Sequence, residues 1–143
     1  DSFFSKLDEP RLVASIHAAE LRSRGEIRLH VTEKGIDDAL KEATTTFERL
    51  GMTRTAERNG ILIFVAPKSQ KFAVLGDSGI TALVGTEPLD AMAAAMSEAF
   101  REGRFTDGLV AAIDRAGDLL ATHFKRRSAE SDQDELPNTI SRG

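Results

Sequence analysis

The run Ile61-Leu62-Ile63-Phe64-Val65-Ala66 contains no polar residue. In a strand, alternate side chains point to opposite faces, so a wholly apolar run requires cover on both sides. The chain must therefore build a sheet with helices on its two faces, and this run is its central strand. Pro67-Lys68-Ser69-Gln70 joins it to a second run, Lys71 to Leu75. A connection that short predicts an antiparallel hairpin. The second run ends in Gly76-Asp77-Ser78-Gly79, a sharp turn, and Ile80 to Val84 suits one or two helical turns beyond it.

The flanking segments predict how that centre is covered. Asp8-Glu9-Pro10 reads as a helix start, with Leu12, Val13, Ile16 and Ala19 at helical spacing and a stop near Ser23 to Gly25. Glu26 to Thr32 alternates apolar and polar residues, which predicts a strand with one wet face carrying Glu26, Arg28 and His30. Asp37 or Asp38 caps a second helix with an apolar stripe of Leu40, Ala43, Phe47 and Leu50. A helix between two strands implies a parallel, right-handed crossover. Pro88 opens a helix through Met92, Met96 and Phe100, and Thr106 or Asp107 caps a last one through Leu109, Ile113, Leu120 and Phe124.

The expected fold class is α/β: a three-layer α/β/α sandwich around a small mixed sheet, made of a parallel βαβ unit plus an antiparallel hairpin. At 143 residues the chain suits one domain, residues 1–127. Residues 128–143, rich in Glu and Asp, read as a disordered polar tail.

Composition removes several classes of function. The chain has no cysteine, which excludes disulfides, thiolate catalysis and cysteine-ligated metal. A net charge of −4 gives no general attraction to nucleic acid, and the cluster Lys125-Arg126-Arg127 reads as a helix terminus. No window is apolar enough for a membrane span. The compartment stays open: a soluble protein, cytoplasmic or exported after loss of an upstream segment.

Phosphate-loop, dinucleotide and zinc-protease motifs are absent, and His17, His30 and His123 fall on separate elements as surface or helix-flank residues. What remains are oxygen-bearing residues beside glycines at element ends: Asn59-Gly60, Gly76-Asp77-Ser78-Gly79 and Thr106-Asp107-Gly108. If these ends gather on one edge of the sheet, Asp77, Asp107 and Asn59 suit a hard cation such as calcium or magnesium. Arg58 and Arg104, flanking two of the turns, are the candidate phosphate contacts. The same residues also read as helix caps and a turn entering a strand, and on the residues alone capping is the stronger reading. No catalytic nucleophile stands out.

The segments Arg24-Gly25-Glu26-Ile27-Arg28-Leu29, Asn59-Gly60-Ile61-Leu62-Ile63-Phe64, Gly76-Asp77-Ser78-Gly79-Ile80 and Gly103-Arg104-Phe105-Thr106-Asp107-Gly108-Leu109, in that order and spacing, resemble the TPM domain. The likeness covers roughly residues 10 to 125. That family, which includes many bacterial proteins, implies an α/β/α sandwich, a divalent-metal site in an acidic groove and, for some members, a modest acid phosphatase activity. Asn59 and Asp77 match its asparagine–glycine and glycine-turn motifs, and Asp107 lies in the motif opening the last helix. Two features depart from the pattern. The signal peptide and membrane helix of many members are not visible here, and Leu89 stands where relatives often carry tryptophan. The resulting expectation is a TPM-type module that binds a divalent cation and acts on an unknown protein partner through binding or maintenance; the alternative is a weak metal-dependent phosphatase.

Overall fold

The computed structural model describes residues 3–126 and 140–143. Phe3–Lys6 form a 3-10 turn ahead of α1 (Glu9–Glu20), whose first turn is closed by the Asp8 side chain accepting from the Arg11 N–H at 3.1 Å. β1 (Glu26–Val31), α2 (Ala39–Arg49) and β2 (Gly60–Ala66) make the expected crossover, and β1 pairs with β2 in parallel. A 3-10 turn at Pro67–Ser69 and a left-handed Gln70 lead into β3 (Lys71–Gly76), antiparallel to β2. Then follow α3 (Ser78–Val84), α4 (Glu87–Arg101), α5 (Phe105–His123) and β4 (Ile140–Arg142).

The sheet order is β3-β2-β1-β4, with β1 and β2 inside. All seven residues of β2 are buried, as its composition requires. Ile61, Ile63 and Val65 face α1, α4 and α5 in the larger core, beside Leu12, Ile16, Met96 and Ile113. Leu62, Phe64 and Ala66 face α2, through Ala43 and Phe47. The three-layer sandwich follows directly.

Four expectations are corrected. First, the chain from Ile140 onward is part of the sheet: β4 pairs in parallel with Leu29 to Val31, and the Glu33 N–H donates to the Gly143 carbonyl. The rest of the expected tail, 128–139, lies outside the described residues. Second, the polar face of β1 is dry. Glu26 and His30 are 3% and 2% exposed, His30 stacks on Phe64 at 5.9 Å, and Arg28 Nε donates to Ser141 Oγ on β4. Third, Leu40 is exposed at the start of α2, and only Ala43 and Phe47 of its stripe, with Thr46, are buried. Fourth, Thr106 and Asp107 do not cap α5: its cap position is Arg104, and Thr106 Oγ1 instead accepts from the Asp8 N–H.

Among the described residues, β4 pairs only with Leu29 to Val31 of β1, and no strand lies beyond the first half of β1. There the buried Glu20 carboxylate accepts from the Ile27 N–H at 2.7 Å. A side chain at the end of α1 thus supplies the acceptor that a longer β4 would have supplied.

Candidate functional site

The residues singled out by their chemistry lie at two opposite ends of the sheet. β2 begins at Gly60, and antiparallel β3 brings Asp77 back beside it, the Asp77 N–H donating to the Gly60 carbonyl at 3.0 Å. This end holds Arg58, Asn59 and Asp77. The first turn of α5 lies against the first turn of α1, where Arg11 pairs with Asp107 at 2.8 Å, and the Phe124 carbonyl just past α5 accepts from Arg24, just ahead of β1. Asp107 and Arg104 therefore stand at the end of the sheet opposite Asp77. Asn59 and Asp77 are brought together; Asp107 does not join them.

At the near end the oxygens already have work to do. Arg58, at φ +52°, turns its guanidinium onto Asp77 with bonds of 2.7 Å and 2.9 Å to the two carboxylate oxygens. The same carboxylate accepts from the Ser78 N–H at 2.7 Å and caps α3. The bond to Asp77, and then its charge, raise the Arg58 pKa above its ordinary value. Gly79 completes the joint. Its N–H donates to the Arg58 carbonyl at 2.8 Å, and a Cβ there would lie 2.1 Å from the Glu57 carbonyl oxygen. The Asn59 side chain donates to the Arg24 carbonyl, while its Oδ1 is buried with no hydrogen-bond partner among the described residues.

Arg104, the other candidate phosphate contact, is held by Glu102, whose bond and charge raise its pKa. The two arginines sit at opposite ends of the sheet and do not form one clamp. Among the described residues, no three His, Asp or Glu side chains gather as a metal-holding group.

Outside these motifs lies a groove of about 820 Å³ at the ends of β1 and β2. Its apolar wall is a ring cluster: Phe100 packs against Phe3, Phe72 and Phe105 with centroids 5.8, 4.7 and 5.3 Å apart. Around the rings stand Lys6, Lys68 and Arg101, and Glu33 is the one acid among the groove's described residues. None of the three cations forms an ion pair with a described residue. In α/β sheets the carboxyl ends of parallel strands are the usual place for ligands. The groove was missed in the sequence because its rings come from four separate elements, none with a local spacing to reveal it.

Comparison with known proteins gives the same fold. The family model described as the TPM domain matches residues 1–119. The chain belongs to the TPM domain family. This TPM domain is similar to the BA42 protein of the psychrophilic bacterium Bizionia argentinensis, known from an NMR structure. The two share 38% identity at a TM-score of 0.84, over 94% of this chain and 92% of that one. It also shares its fold with the N-terminal domain of a P. gingivalis protein, with 16% identity, a TM-score of 0.61, and coverage of 80% and 76%. No curated protein matches. Among the described residues, no helix is long and apolar enough to cross a membrane.

Proposed function

We propose that this TPM domain is a binding module that takes an anionic molecule with an apolar or aromatic part in the groove at the ends of β1 and β2. The observation that carries this reading is the set of three cations that form no ion pair with a described residue, around a wall of phenylalanine rings. An anion there gains charge-assisted bonds, and its apolar part is desolvated against the rings. Titration calorimetry with phenyl phosphate tests it. Lys68→Ala with Arg101→Ala is expected to weaken binding at least tenfold while leaving the melting temperature nearly unchanged. Equal binding by parent and variant contradicts the reading.

A second reading keeps the expected cation in a narrower form. The buried, partnerless Oδ1 of Asn59 favours it, beside the Asp77 turn. A calcium or magnesium ion at this end would draw on Asn59 and Asp77, and Asp77 would have to exchange Arg58 for the ion. Asp107 would take no part. A melting-temperature rise with millimolar calcium that vanishes in Asp77→Ala but survives in Asp107→Ala supports it. The phosphatase alternative draws less support, since Arg58 and Arg104 are each engaged by a carboxylate and lie apart.

A further inference from the structure

β4 covers one edge of the sheet, and β3 is the other edge. The hydrogen bond from the Asp77 N–H to the Gly60 carbonyl fixes the phase of the hairpin. Opposed residues of an antiparallel pair alternate between bonded and non-bonded, so Lys71, Ala73 and Leu75 turn their backbone groups to β2. Phe72 and Val74 turn theirs outward, and these have no partner among the described residues. Unpaired backbone groups on a strand edge are a template for another strand. A cleft of about 530 Å³ runs along this edge, walled by Asp37 to Leu40 on one side and by Asp90 and Ala93 of α4 on the other.

The walls choose the occupant. Asp37, Asp38 and Asp90 are all exposed. Among the described residues of the cleft the one cation, Lys71, already donates to the Asp37 carbonyl. A second copy of this chain, docked edge to edge, would set acidic wall against acidic wall. A small molecule has no reason to match two backbone rungs spaced two residues apart along a strand.

We propose that the β3 edge is a strand-addition site for an extended segment of a partner protein in which lysine or arginine alternates with apolar residues. The segment's backbone pairs with Phe72 and Val74, its cations on one face meet Asp37 and Asp38, and its apolar residues on the other face lie along Ala93 of α4. This site is separate from the groove above in both position and charge.

The test uses the whole chain and an acetylated, amidated hexapeptide alternating lysine and valine, with a glutamate–valine hexapeptide as control. The expected result is saturable binding of the lysine peptide, weakened by salt, with slowed amide exchange at Phe72 and Val74. The glutamate peptide should leave those amides unchanged. Asp37→Lys, at an exposed position outside the cap of α2, should weaken binding at least tenfold in a protein of parental melting temperature. Val74→Pro removes an outward N–H without breaking the pairing to β2, so it should abolish the protection at Phe72. Absence of binding, binding without protection at Val74, or equal protection by the glutamate peptide overturns the proposal. Concentration-dependent dimerisation that itself protects Phe72 and Val74 also overturns it, in favour of a second copy.

Discussion

Arg58 and Asp77, nineteen positions apart in the chain, close a two-bonded ion pair that ties the start of β2 to the start of α3. The carboxylate is almost fully buried and the guanidinium is half exposed. A motif that looks like a ligand site in the sequence is therefore, in this fold, a joint between elements.

The joint should be visible in stability. Asp77→Ala removes the cap of α3 and is expected to cost about 1–2 kcal/mol in urea unfolding. Arg58→Ala is expected to destabilise as well, and the double variant should lose less than the two single losses added together, because both remove the same contact. Strict additivity would mean that the pair is not coupled.

Gly79 is held by space rather than by conformation. Backbone oxygens of Glu57 and Arg58 lie 2.1 and 2.6 Å from where a Cβ would stand, and backbone moves reluctantly. Gly79→Ala is expected to cost about 3 kcal/mol or more, as overpacking against a fixed wall does. At Gly103, which closes α4 in a left-handed turn, φ is +76° and nothing lies within 4 Å, so Gly103→Ala should cost only about 1 kcal/mol of backbone strain. Similar losses at the two sites would contradict the close approach.

His30 gives a pH signature. Burial, then the charges of Arg49 and Arg28, lower its pKa from 6.5 to about 4. A base held neutral in the fold favours folding above pH 6.5, and that contribution disappears as pH falls through 4. Between these values the unfolded chain binds the extra proton, so stability should rise with pH. His30→Leu should remove about one proton of uptake on unfolding from a stability profile measured across that range. An unchanged slope would show that other groups set it.

The edge of β1 offers a local test. Glu20 supplies the acceptor for the Ile27 N–H, and Gly143, just past β4, supplies the one for Glu33. Truncation after residue 139 should speed amide exchange at Glu33 and leave Ile27 protected. Glu20→Ala should do the reverse and cost about 1–3 kcal/mol, because it strands a buried donor.

The centre of the fold was legible because burial on both faces of β2 leaves a mark in every one of its residues. The parallel β1–β2 pair, the hairpin and the Asp8 and Asp38 caps follow from local patterns of the same kind. Polarity misled at β1, where alternation promised water but His30 lies on Phe64 and Arg28 reaches Ser141. The covering strand comes from more than a hundred residues away, and no local period encodes it. The grouping of the candidate site residues was hidden for a similar reason. Asn59, Asp77 and Asp107 share a chemistry, but strand direction puts the first two at one end of the sheet and the third at the other. The phenylalanine groove is the converse case, a site assembled by topology from residues that look like ordinary core.

The proposal to test first is that this TPM domain takes an anion in the groove at the ends of β1 and β2. The most direct measurement follows amide chemical shifts during titration with 4-nitrophenyl phosphate, with nitrophenol release recorded on the same sample. The account predicts saturable shifts at Lys6, Lys68, Phe100 and Arg101 and no release above the buffer rate. Shifts centred on Arg58 and Asp77, with metal-dependent release lost in Asp77→Asn, would contradict it.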